Sequence, residues 1–144
     1  MTQKAHFTAL ENMYLAAPIN EFYKPTIDIN LEESTIEIEV RADQCHSAGG
    51  IHGSVYFKIL DDAAFFAANA FEEEVFVLTT SFTTYITRPV SSGKMTAVGR
   101  VVNKNRTQWI AEAVVYNNDK EVGRGSGIFV RSKMPLSGAT GYGE

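Results

Sequence analysis

At 144 residues, 44% hydrophobic and 11% aromatic, the chain has ordinary globular composition, with room for one sizeable core and none for a second domain. A formal charge of −4, a pI near 5.4 and the lack of any Lys/Arg run exclude a nucleic-acid binder that works through phosphate contacts. The lone Cys45 excludes an internal disulfide and, with no signal peptide at the start, points to a reducing cytoplasm; no apolar run reaches the ~20 residues of a membrane span, because Asp61 and Asp62 break the longest candidate.

The first element expected is a helix over residues 5–17, where Phe7, Leu10, Tyr14 and Ala17 form an apolar stripe that stops at Pro18. His6, at its start, is expected to face solvent. Residues 20–25 read as a connector, with Phe22 and Tyr23 tucked against something apolar. Two strands follow, over 26–31 and 35–41, flanking the turn at Glu32, Glu33 and Ser34. Ile36, Ile38 and Val40 alternate there with Glu37, Glu39 and Arg41, the two-residue period of a strand with one wet face.

Residues 45–53, Cys-His-Ser-Ala-Gly-Gly-Ile-His-Gly, form a polar, glycine-rich turn that feeds an apolar run from Ser54 to Phe71. Val55, Ile59, Leu60, Ala63, Ala64, Phe66, Ala67, Ala70 and Phe71 recur at spacings of three and four, which predicts a long buried helix. Its first amides lack partners within the helix and lie at the positive end of its dipole, so the turn can cradle an oxygen that gains negative charge. A Gly-rich turn before a helix is equally a common structural device, and this signal alone does not separate the two readings. Asp61 and Asp62 sharpen the choice, because carboxylates on an apolar helix are rarely buried without partners. Neighbours on a helix point about 100° apart, so the two acids meet different surroundings; Asp62 is expected to serve structure. Eight residues separate Gly53 from Asp61, roughly 12 Å along one helix at ~1.5 Å per residue. Within one chain they cannot grip one small reacting group. If they cooperate, the acid comes from a second copy whose helix runs antiparallel beside the first.

After the helix, a long strand is expected over 75–88, with Phe76, Leu78, Phe82 and Ile86 on one parity and Thr79, Ser81, Thr83 and Tyr85 on the other, ended by Pro89. Strands over 94–102, 107–116 and 121–131 complete a four-stranded antiparallel meander, joined by the turn groups 103–106 and 117–120. The fold class is therefore α+β, one antiparallel sheet wrapped around one long helix, with an additional helix before it. A sheet of this width covers the helix on one side only, and a second copy is the simplest cover for the rest. We expect a homodimer joined edge to edge through the 75–88 strands, with a further doubling to a dimer of dimers open. Residues 134–144 are expected to be a loose tail on a single domain spanning 1–144.

His52-Gly53, Asp61 eight residues on, Thr79 on the next strand and Tyr85-Ile86-Thr87-Arg88-Pro89 beyond it resemble the hotdog-fold acyl-CoA thioesterases, in particular the phenylacetate-degradation-type, PaaI-like branch. The resemblance covers residues 36–131. It implies that the Gly53 amide polarises a thioester carbonyl, that Asp61 of the other subunit acts as nucleophile or as general base on water, and that Thr79 helps place that water. It implies no cofactor, coenzyme A being part of the substrate. Where the family commonly has Asn, seven residues before the glycine, this chain has His46; where it commonly has a second Gly, this chain has Ser54. His46 can donate a hydrogen bond as Asn does, and can also titrate near neutrality. His52, Ser54, Thr80 and Arg88 are the further candidates for substrate contact, with His52 also suited to fixing its own loop. His46, His52 and Asp61 match no common zinc spacing, and no metal is expected. Cys45 beside His46 is expected to be an inert thiol, since sequence neighbours seldom meet side chain to side chain. The function implied is hydrolysis of an acyl-CoA thioester; the rivals are a hotdog acyl-thioester dehydratase recruiting His46, a non-catalytic acyl-CoA-binding protein, and a structural dimer without ligand. Phe57, Phe65, Phe66 and Phe82 suit an apolar pocket or a core equally.

Overall fold

The computed structural model describes residues 1–143. Helix α1 spans Gln3–Ala16, two residues earlier than the apolar stripe alone suggests, because the Thr2 hydroxyl caps it by accepting the Ala5 amide at 3.0 Å. A short helix α2, Asn20–Tyr23, replaces the expected connector. Strands β1 (Thr26–Ile29) and β2 (Ser34–Glu39) precede the long helix α3, Gly53–Asn69. Then come β3 (Val75–Ile86), β4 (Lys94–Lys104), β5 (Gln108–Asn117) and β6 (Lys120–Pro135).

The strands form one antiparallel sheet in the order β1-β2-β4-β5-β6-β3. The meander expected of the last four strands is thus confined to β4, β5 and β6. β3 does not lie beside β4; it crosses to the far side, pairs with β6 and forms an edge twelve residues long. The sheet curls around α3, whose Val55, Ile59, Leu60, Ala63, Ala64 and Phe66 are buried. This is the hotdog architecture that the resemblance implies.

Contact between helix and sheet is tightest at Gly99 of β4. A Cβ placed there would stand 2.3 Å from the Ala63 carbonyl oxygen, so helix backbone rests on strand backbone with no side chain between. Ala63 and Ala64 make the approach possible from the helix side.

Three expectations are corrected. β3 does not keep a single inward parity: its pairing with β6 slips between Thr79 and Ser81, leaving Thr80 as an extra residue. Thr79, opposite Phe129, and Phe82, lying over the bare backbones of Gly125 and Gly127, therefore both face the helix, although alternation places them on opposite faces. His6 does not face solvent. It is fully buried, with Nε2 donating to the Asn69 carbonyl at 2.9 Å, which leaves Nδ1 to accept the Tyr142 hydroxyl at 2.7 Å. The segment after Lys133, expected to lie loose, extends β6 to Pro135, buries Leu136 in a 3-10 turn and reaches α1 through Tyr142; Glu144 lies outside the described residues.

Asn69 ties these parts together. Its amide donates to the carbonyls of Glu72 and Val75 and accepts the Val77 amide at 3.0 Å, so the turn from α3 into β3 hangs on one buried side chain.

Gly99→Val should therefore destabilise the fold by about 3 kcal/mol or more, since the obstruction is main chain and cannot rotate away. Denaturant unfolding checks this; a wild-type midpoint would show that α3 does not rest on β4 as described.

Candidate functional site

α3 begins where His52 stops the extended chain. The His52 Nδ1 accepts the Ser54 amide at 3.0 Å and lies 2.7 Å from the Ser54 hydroxyl, so both residues are engaged in capping the helix. Gly53, next to them, is the first helical residue, and its amide has no acceptor within the helix. The turn before it is closed by bonds from the His46 amide to the Gly50 carbonyl and from the Ile51 amide to the Val90 carbonyl. His46 is exposed. Its Nδ1 accepts the Ala48 amide at 3.1 Å, which leaves Nε2 free to donate in the neutral ring. His46, Gly53, Ile86 and Arg88 line one recess of about 380 Å³. The Arg88 carbonyl, at its rim, accepts the Tyr56 hydroxyl at 2.8 Å.

Asp61 lies elsewhere. It borders a separate cavity of about 310 Å³ between α1, α3 and the start of β3, walled by Met13, Ala17, Phe65, Phe66, Phe76 and Leu78. Phe65 stands at the middle of this wall, its ring 4.9 Å from Phe66 and 5.1 Å from Phe76. Phe57 and Phe82, the other two rings considered for a pocket, meet each other edge to face at 5.7 Å instead, with Phe57 exposed. The Thr79 hydroxyl donates to Asp61 Oδ1 at 3.0 Å; Thr79 shares the inward parity of the buried Val77, and the bulge at Thr80 beyond it returns Phe82 to the same face. Thr80 itself is exposed and bonded to the Ile128 carbonyl at 3.2 Å. Burial pushes the Asp61 carboxyl up to about 6; the Thr79 bond opposes the rise, the Asp62 charge adds to it and Lys58 offsets it.

Asp62 has stronger partners. It accepts the Tyr14 hydroxyl at 2.7 Å and pairs with Lys58 one turn earlier on α3. Burial, and then the Asp62 carboxylate, drives the Tyr14 phenol far above its usual range, so it stays a donor. Tyr14 and Lys58 escaped sequence reasoning. The four-residue spacing from Lys58 to Asp62 is a usable signal for one; Tyr14 reaches Asp62 only through the packing of α1 on α3.

The expected site residues thus fall into two groups, Thr79 with Asp61 and His46 with Gly53 and Arg88, on separate concavities of one chain. Cys45 sits apart, its thiol 3.6 Å from the Arg41 carbonyl. Among the described residues no cluster of three or more His, Cys, Asp or Glu side chains is placed to hold a metal, and no helix is long and apolar enough to cross a membrane.

A family model described as the thioesterase superfamily matches residues 48–123, more than half of the chain, a span that holds Gly53, Asp61 and Thr79 and begins just after His46. No curated protein matches significantly in sequence. Solved structures do. The E. coli PaaI protein from the phenylacetic acid degradation operon superposes with a TM-score of 0.83 at 17% identity, covering 94% of this chain and 99% of that one. A variant of the phenylacetic acid degradation protein PaaI from Thermus thermophilus gives 0.73 at 24% identity, over 81% and 100%. A mutant thioesterase from Pseudomonas aeruginosa gives 0.77 at 16% identity, over 88% and 92%. At these identities the likeness is one of fold, and it agrees with the PaaI-like arrangement expected from the sequence.

Because Asp61 rises from the ordinary 3.8 to about 6 on folding, its ionisation opposes folding: the fold is unpenalised below pH about 4 and loses stability as pH rises through about 6. Asp61→Asn should therefore stabilise the protein at pH 8 by about 1 kcal/mol, after discounting for solvent screening of a half-buried group, and leave stability at pH 4 unchanged. Thermal unfolding at the two pH values measures this.

Proposed function

We propose that this chain, which belongs to the thioesterase superfamily, hydrolyses an acyl-CoA thioester to free acid and coenzyme A at a site shared by two copies. The observation that carries the reading is Asp61, a half-buried carboxylate held by one hydroxyl at the wall of an apolar cavity, while the Gly53 amide opens on a different recess of the same chain. One protomer therefore holds the acid of one site and the carbonyl-binding amide of another.

Pairing of the β3 edges brings the two α3 helices side by side and antiparallel. The edge supports this role: it is long, its outer side pairs with no strand among the described residues, and Leu78, Tyr85 and Ile86 are exposed. The thioester carbonyl rests on the Gly53 amide, where charge developing in the tetrahedral state meets the positive end of the helix. Asp61 of the partner subunit attacks the carbonyl carbon or removes a proton from water that Thr79 helps to place. His46 orients the thioester through its free Nε2–H as a neutral ring, or, as an imidazolium that gives up the Ala48 contact, protonates the departing thiolate. His52 and Ser54 shape the turn, and Thr80 and Arg88 lie along the entry used by coenzyme A. A reducing cytoplasm is the compartment assigned, and the dimer is free to double.

Thiol release from hexanoyl-, octanoyl- and benzoyl-CoA tests the reaction. Asp61→Asn should cut kcat at least about a hundredfold while the protein stays dimeric, and wild-type kcat/KM should rise with pH through about 6 as the carboxylate forms. Full activity in that variant overturns the assignment. Failure of every ester to release thiol, with tight binding and no turnover, would make the protein an acyl-CoA binder instead.

Sharing is tested by mixing. Gly53→Pro deletes the amide N–H at a first-turn position that proline tolerates, following a residue already at ψ 143°. Refolded together, Gly53→Pro and Asp61→Asn, each inactive alone, should recover about a quarter of wild-type activity, since half the dimers are hybrids with one intact site. No recovery would place the two groups in independent sites.

A further inference from the structure

The pair of acids on α3 is unequally furnished. Asp61 has one neutral donor, Thr79; Asp62, its neighbour, has a phenol and an ammonium. Lys58 is the unusual member. Its side chain is 10% exposed, its Nζ lies 3.3 Å from the Tyr14 hydroxyl and 4.9 Å from the ring centroids of both Tyr14 and Tyr23, and it lines the same cavity as Asp61. An apolar pair of similar volume buries at lower cost than a Lys–Asp pair, so stability does not account for placing these charges in a cavity wall.

We propose that Lys58 is a positioning residue for Asp61: its ammonium, locked on Asp62, offsets part of the field of that second carboxylate at Asp61 and so helps Asp61 serve as a carboxylate. The value for catalysis rests on the reading of Asp61 given above. The groups that face Asp61 are Lys58 and Asp62 on α3, Tyr14 on α1 and Thr79 on β3, while Tyr23 on α2 faces Lys58. Tyr14 stays neutral and Thr79 carries no charge, so the balance at Asp61 is set by the Asp62 carboxylate and the Lys58 ammonium that pairs with it. Without Lys58, Asp62 stands uncompensated beside Asp61 and favours its protonated form. Without Asp62, the ammonium stands uncompensated and favours the carboxylate. The two deletions act in opposite directions, which a purely structural contact would not do.

The test follows the Asp61 carboxyl carbon by NMR titration in the full-length protein, beside the pH dependence of kcat/KM on whichever of hexanoyl-, octanoyl- and benzoyl-CoA is turned over fastest. Lys58→Met should raise the Asp61 midpoint and Asp62→Asn should lower it, each by about half a pH unit or more. The double variant should return close to the wild type, and Lys58→Arg should keep the wild-type midpoint. The acidic limb of kcat/KM should move with the NMR midpoint. Should Lys58→Met fail to fold, Asp62→Asn against the double variant supplies the comparison, since the difference between them is Lys58 alone. Equal Asp61 midpoints in those two, or shifts of the same sign in the two single variants, overturn the proposal. Midpoints that shift as stated while the rate profile stays still uphold the role of Lys58 at Asp61 and remove Asp61 from catalysis.

Discussion

Helix α3 meets the sheet at Gly99 with nothing between the two backbones, and the other layers take their positions from that contact. Seated so closely, the helix presents Ile59, Leu60, Ala63 and Ala64 to the curled sheet and turns a second flank toward β3, where Asp61 meets Thr79, Phe57 meets Phe82 and Phe65 meets Phe76. Phe57, Asp61 and Phe65 occupy that flank, and α1 covers only part of it. The uncovered remainder lies beside the open edge of β3. A single constraint, the depth at which a helix settles into a sheet, thereby decides where an acid can be half-buried.

Much of this was legible in the residues. The three- and four-residue spacing through α3 marked a helix buried on one side, and alternation marked the strands, because both patterns report local geometry. The eight residues between Gly53 and Asp61 were enough to separate the two groups, and the structure places them on different recesses. What escaped depends on distant partners. Alternation assumes an unbroken pleat, and the slip at Thr80 is a property of the pairing between β3 and β6. The position of β3 beyond β6 is likewise a matter of sheet order, to which no local pattern is sensitive. His6 looked like a frayed end because its two partners lie 63 and 136 residues away.

The adjacent acids illustrate how one helical turn supports two chemistries. Rotation by about 100° sends Asp62 toward α1, where a phenol and an ammonium bind it, and sends Asp61 toward β3, where a single hydroxyl does. The same sequence step that looks redundant on paper separates a carboxyl paired with a cation from one that has only a neutral donor. Desolvation that makes Asp61 a liability to the fold is what brings it into the range where a base can work near neutral pH.

The bond between His6 and Tyr142 joins stretches 136 residues apart, so α1 cannot lift from the end of α3 without leaving a buried ring nitrogen unpaired. A contact made across nearly the whole described sequence thereby works as a clasp, and loosening either half of it is felt at once by the helix and by the segment beyond β6.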